Sequence, residues 1–150
     1  KKLTLQSKKS QKLYFVSMSK IGSNKILENC KVIDIADKGK SVAKSKSGEI
    51  VFLENAVPGD IVDVLIKRKR KGSFIGKILK FNLKSQKRVK PICEHFGVCG
   101  GCKWQNMNYN SQLFYKEKRV HENLSRIGKI KPKTVFPILA SKQIYYYRNK

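Results

Sequence analysis

The sequence predicts a mainly β fold, a small five-stranded OB-like barrel followed by a cysteine-rich loop and one α-helix. Three observations predict it. Short β-type runs split by turn residues fill the stretch from Cys30 to Leu83. Three cysteines then crowd between Cys93 and Cys102, and helical spacing of apolar residues begins only after Asn110. Short runs of this kind, punctuated by Gly, Pro and Asp, read as strands, and closing them into a barrel removes exposed edges.

The first run, Cys30 to Ala36, alternates in part and meets the turn Asp37-Lys38-Gly39. A more polar second run covers Lys40 to Lys46, and Ser47-Gly48 turns the chain into a third, Glu49 to Leu53. Pro58-Gly59-Asp60 is a further turn. The fourth run, Ile61 to Ile66, leads to a basic hairpin tip at Arg68-Lys69-Arg70-Lys71-Gly72, and Ser73 to Phe81 closes the set. Beyond a basic linker and Pro91 lies the cysteine loop. Asn110 can cap a helix over Ser111 to about Ile127, with Leu113, Val120, Leu124 and Ile127 near one face and Gly128 at its end. The remainder, from Lys129, is extended in character, and Tyr145-Tyr146-Tyr147 reads as a strand entering a sheet.

Charge points to the partner. Thirty-four Lys+Arg oppose ten Asp+Glu, a formal net charge of +24, while 40% hydrophobic residues suffice for a packed core. A compact body of that charge repels itself unless a polyanion neutralises it, and nucleic acid binds such surfaces by releasing counterions. Lys67, Arg68, Lys69, Arg70 and Lys71 are the leading phosphate contacts, and Lys77, Lys80, Lys84, Lys87, Arg88 and Lys90 continue the charge into the linker. Phe74 and Phe81 could stack on bases, although strand aromatics of this kind belong more often to the barrel core. The first 25 residues read as a basic tail. No apolar run approaches the ~20 residues that cross a bilayer, and no signal peptide is visible. The clustered cysteines argue against a secreted disulfide framework, so a cytoplasmic location is expected.

Cys93, Cys99 and Cys102 form a C-x5-C-x2-C constellation whose glycines let the backbone wrap a bound centre. Zinc wants four tetrahedral ligands, and His95 or His121 could complete such a set. A cubane iron–sulfur cluster wants four thiolates. Cys30 sits at the start of a barrel strand and reads more simply as a core residue, so spacing alone leaves the metal open. No Gly-rich cofactor loop and no nucleophile–base pair is visible.

The barrel followed by C-x5-C-G-G-C-x-x-Q, with Cys93, Cys99, Cys102 and Gln105 in the motif, resembles the RNA uracil-5-methyltransferase family. The ending Tyr147-Arg148-Asn149-Lys150 is similar to the opening of that family's central domain. The resemblance implies a TRAM barrel over residues 26–84 that holds ribosomal or transfer RNA. It further implies a linker and iron–sulfur loop over 85–109, and the start of an incomplete central domain over 110–150. Cys93, Cys99 and Cys102 would ligate a 4Fe–4S cluster whose fourth cysteine lies beyond this chain. The S-adenosylmethionine site, the cysteine that attacks C6 of uracil and the general base would also lie further downstream. There the target base would be taken out of its stack. A monomer that binds RNA without methylating it is the expectation for this piece alone. The alternative is a zinc-stabilised RNA-binding module that stands by itself. The C-x3-C-x2-C spacing of radical and tRNA-thiolating enzymes that share the TRAM module is absent.

Overall fold

Five strands close on themselves in the order β1-β2-β3-β5-β4. The computed structural model describes residues 25–146, so the basic tail before Lys25 and the ending from Tyr147 lie outside the described residues. β1 spans Ile26–Ile35, β2 Ser41–Lys44, β3 Ile50–Leu53, β4 Ile61–Arg70 and β5 Ser73–Leu83. β3 and β5 run parallel and every other pair is antiparallel, as in an OB barrel. One strand serves two neighbours. The first half of β1 pairs with β4 and its second half with β2, and the register slips between Leu27 and Cys30, where Asn29 takes a left-handed φ of 50°. That bulge bends β1 around the barrel corner.

Inward residues alternate along the strands as half-buried β structure demands. Leu27, Cys30, Val32, Ala43, Val51, Leu53, Val62 and Val64 fill the interior, and Phe74 and Phe81 pack against them from β5. Both phenylalanines are therefore core residues, with Lys25 over the Phe74 ring and Arg88 4.6 Å from the centre of the Phe81 ring. Gly76 marks the tightest point of the wall. A Cβ there would sit 2.2 Å from Val64 Cγ1 and 3.1 Å from Val51 Cγ1, so only glycine lets β5 pass so close to its neighbours.

The hairpin differs from the sequence expectation. β4 continues through Arg70, so the turn is only Lys71-Gly72, both at positive φ as a two-residue hairpin loop requires. Lys67 to Arg70 thus lie on a strand that pairs with β5, with Arg68 opposite Ile75 and Arg70 opposite Ser73.

A second small core closes one end of the barrel. Ile35 and Val57 meet Met107 and Tyr115, with Trp104 packed against them. The helix α1, Tyr109–Glu122, supplies Tyr115 and continues into a wider π turn over Asn123–Ile127. Its cap is Asn108, not Asn110. The Asn108 side chain accepts the Ser111 N–H at 2.8 Å, satisfying an otherwise orphaned donor. Gly128 stays right-handed at φ −72°, and the left-handed residue after the helix is Lys129. Tyr145 and Tyr146 form a bend; no strand follows α1 among the described residues, which offer this segment no ladder partner.

Candidate nucleic-acid interface and cysteine loop

The tip that the sequence singled out is a two-stranded cationic arm. Lys67, Arg68, Lys69, Arg70 and Lys71 are all exposed, and so is Lys77 further along β5. The alternation of a strand sends neighbouring side chains to opposite faces, so the arm carries positive charge on both. Ion pairs among the described residues involve only four cations, Lys25, Arg88, Lys118 and Arg119. Neither Lys77 nor any of Lys67 to Lys71 is among them. Acidic residues are instead gathered elsewhere: Asp34 and Asp37 face α1 through Lys118 and Arg119, and Asp63 accepts from Asn29 N–H and Asn82 Nδ2. Those two hydrogen bonds, the backbone one first, hold the Asp63 carboxyl below its usual range.

Two linker cations have a structural duty instead. Asp60, fully buried, accepts Arg88 Nε at 2.8 Å and Arg88 Nη2 at 2.7 Å, one on each carboxylate oxygen. The same carboxylate accepts the backbone N–H groups of Val57 and Ser85. A buried charge persists only with such full pairing, and removing one partner of a pair like this costs about 3–5 kcal/mol. Lys87 Nζ donates to the Tyr115 hydroxyl at 3.1 Å. Lys87 therefore ties the start of the cysteine loop to α1 and Arg88 ties it to the barrel, and the Arg88 charge is already neutralised by Asp60. The sequence read Asp60 only as a turn residue. Its burial depends on a partner 28 residues away, which no local pattern reveals.

The cysteine loop is an excursion clamped at its base. Arg88 bridges to Met107, Val89 N–H donates to Asn106 O, and Asn108 N–H donates to Lys87 O. Asn106 Nδ2 and Trp104 Nε1 then tie the returning strand to Asn55 O and Gly39 O of the barrel. Inside the loop, Gln105 Oε1 accepts Cys93 N–H at 3.0 Å, which fixes the first thiol-bearing residue against the motif's glutamine. Gly101 N–H points at Cys99 Sγ at 3.4 Å. Such N–H donors stabilise thiolate charge, the donor chemistry a metal or cluster needs. Cys93 is half-buried while Cys99 and Cys102 are exposed, and a cleft of about 550 Å³ opens beside them, bordered by Cys93, Cys102, Trp104, Gln105 and Tyr145. Yet no group of three His, Cys, Asp or Glu side chains converges closely enough to hold a metal ion among the described residues. The donors suit a thiolate-held centre; the set is open. His95 and His121 are both exposed and belong to no such group. Cys30 is wholly buried in the barrel, and burial, with the charges of Asp63 and Glu49, pushes its thiol up. A thiol kept protonated in an apolar core is not a ligand.

Residues 29–79 match the TRAM domain family model, which covers β2, β3 and β4 whole and most of β1 and β5. Sequence comparison extends the likeness past the barrel. A Bacteroides thetaiotaomicron protein named as an uncharacterized RNA methyltransferase is 46% identical over 116 residues, 77% of this chain and 25% of its own length. A Nitrosospira multiformis protein named 23S rRNA (uracil(1939)-C(5))-methyltransferase RlmD is 40% identical over 116 residues, 74% of this chain and 25% of its own length. The chain carries a TRAM domain and is related to the N-terminal part of RNA methyltransferases. It spans about a quarter of the length of the curated relatives it matches. A Porphyromonas gingivalis protein, also named as an uncharacterized RNA methyltransferase, shows the same proportion at 39% identity. The TRAM barrel is thus the body that carries the cationic arm, and the clamp at Lys87–Val89 fixes where the cysteine loop leaves it. No helix among the described residues is long and apolar enough to cross a membrane.

Proposed function

We propose that this chain is the RNA-binding and iron–sulfur part of an S-adenosylmethionine-dependent RNA uracil-5-methyltransferase that acts on ribosomal or transfer RNA. The observation that carries the reading is the 40% identity with a relative named for methylating C5 of a 23S rRNA uracil, over a stretch that includes barrel and cysteine loop. The structure adds physical support. A TRAM barrel with an arm of unpaired cations can follow a phosphate backbone without reading sequence, which suits a module that holds RNA for chemistry done elsewhere. Cys93, Cys99 and Cys102 would supply three ligands of a 4Fe–4S cluster, with the fourth from polypeptide outside residues 1–150. Methyl transfer, the S-adenosylmethionine site and the nucleophile belong, in this reading, to the three quarters of the relatives' length that the chain does not match. Residues 110–150 begin a further domain, and the protein acts as a cytoplasmic monomer.

Methyl transfer is tested by incubating the longer protein, and residues 1–150 separately, with S-adenosylmethionine carrying a labelled methyl group and unmodified rRNA or tRNA. Label recovered as 5-methyluridine with the longer protein, and none with residues 1–150, is the expected result. Label on another base, or none with the longer protein, would overturn the reaction assigned. Label with residues 1–150 alone would overturn the division of labour.

A further inference from the structure

A hollow of about 130 Å³ lies in the seam between the barrel and the cysteine loop. One wall is the turn between β1 and β2 with the start of the β3–β4 connection; the other runs through Gly97, Gly100 and Lys103 of the loop. Lys38 and Gly39 are both left-handed, at φ 57° and 72°, which folds the turn tightly between Lys38 and Lys40. The walls are tied to each other at two points. Trp104 Nε1 donates to Gly39 O at 3.2 Å, and Asn106 Nδ2 donates to Asn55 O at 3.0 Å. A Cβ at Gly39 would sit 2.7 Å from Lys103 Cβ, so glycine there lets the loop's lysine come down onto the turn. Lys38, Lys40 and Lys103 thus line one hollow against a single carboxylate, Glu54. None of the three lysines has an ion-pair partner among the described residues. Like charges held together repel until an anion sits among them.

We infer that this seam is a phosphate site, filled by a backbone phosphate of RNA that runs along the barrel from the β4–β5 arm. The inference rests on the RNA-binding reading above and adds a second contact at a defined place. Size excludes a base, because pockets for organic ligands begin at about 300 Å³. Position selects the phosphate of a strand over a free ion. β1 runs out where β4 begins, so the Lys38–Lys40 turn and the hairpin turn Lys71-Gly72 belong to opposite ends of β4. Roughly 30 Å of strand separates those ends at ~3.3 Å per residue. An RNA strand engages both sites at once, and tethering at the arm raises the effective concentration of its phosphates at the seam. Cys102 borders the same hollow, so RNA seated there bridges the barrel and the cysteine loop. Such a contact fixes where the strand lies without reading its bases.

The test is RNA binding by the full-length protein over a salt series. Single-stranded RNA of about 20 nucleotides is used, long enough at ~3.4 Å per nucleotide to span the barrel. The double variant Lys40→Gln, Lys103→Gln removes two charges and keeps the methylenes that pack on Gly39. Its slope of log affinity against log salt should fall by about 0.7, the value for one phosphate of a single strand. Lys131→Gln with Lys133→Gln, an equal charge loss on the exposed segment after α1, should leave the slope nearly unchanged. Lys40→Arg with Lys103→Arg should keep the slope of the unaltered protein. Equal losses in the seam and control variants, or a loss in the Arg variant, overturn the inference. A slope that flattens on neutralising Lys67 to Lys71 but not in the seam variant also overturns it, and leaves the RNA-binding reading standing. Absence of RNA binding by the unaltered protein overturns both. Phosphorus NMR with inorganic phosphate covers the competing guest. Line broadening that the seam variant abolishes while its RNA slope is unchanged assigns the hollow to free phosphate and overturns the inference.

Discussion

Cys30 shows how one side chain's surroundings decide its chemistry. Four cysteines are present, but only Cys30 is sealed in the barrel, with its Sγ 3.6 Å from Leu27 O. Burial, Asp63 and Glu49 all disfavour its thiolate, so its pKa lies above the ordinary value. That direction has two measurable outcomes. In native protein at about pH 8, near the ordinary thiol pKa, a maleimide should modify Cys99 and Cys102 quickly and Cys30 only on unfolding. Rapid modification of Cys30, located by peptide mass, would remove it from the core. The unfolded chain releases this proton at lower pH than the folded one. The thiol's contribution is therefore complete below the ordinary pKa of about 8.5, and stability falls as pH rises beyond it. Replacing it by Cys30→Val should lessen the loss of melting temperature between neutral and alkaline pH; an unchanged loss would assign that sensitivity to other groups, such as the Lys118–Asp34 pair.

At the scale of elements, the β4–β5 arm and α1 were legible to different degrees. The run of five cations at Lys67 to Lys71 announced itself in the sequence, and the arm carries it without acidic partners among the described residues. Neutralising all five should weaken RNA binding across unrelated sequences and flatten its salt dependence. The slope of log affinity against log salt should fall by roughly 0.7–0.9 for each phosphate that the arm no longer neutralises. Filter binding over a salt series measures this, and an unchanged slope would move the RNA path off the arm. The extent of β4 was less legible. Lys and Arg are weak strand formers, and only pairing with Ser73 to Gly76 holds them extended. For α1 the period was legible and the facing was not. Leu113, Val120, Leu124 and Ile127 do share helical spacing, but a moment says only that a face is apolar, not which body it meets.

For the molecule as a whole, the open thiol set and the quarter-length match belong together. In the proposed reading the cluster takes a fourth ligand besides Cys93, Cys99 and Cys102, and these three do not converge among the described residues. Anaerobically purified longer protein should therefore contain iron and acid-labile sulfide with a broad visible absorption band, and Cys99→Ser should abolish it. Stoichiometric zinc without iron would favour the stand-alone zinc module, and full metal content in Cys99→Ser would contradict the ligand set. The Asp60–Arg88 pair has its place at this scale too. It holds the start of the cysteine loop against the barrel, so any centre formed there keeps a fixed position relative to the cationic arm.

Local chemistry was enough for the sequence to determine the number of strands, most of their turns, the basic run of the arm, the core identity of Cys30 and the cysteine motif. Turn residues, period-two alternation and charge runs are short-range signals, and a barrel joined by short turns repeats them in order. Tertiary structure alone decided which linker cations hold the loop in place, because Lys87 and Arg88 differ from Lys84 or Lys90 in what lies across from them. It also decided the cap at Asn108, the passage at Gly76 and the inner face of α1. Each depends on atoms distant in sequence or on which backbone donor is left unsatisfied. The sequence could name the parts; only the folded chain could say which faces are already taken.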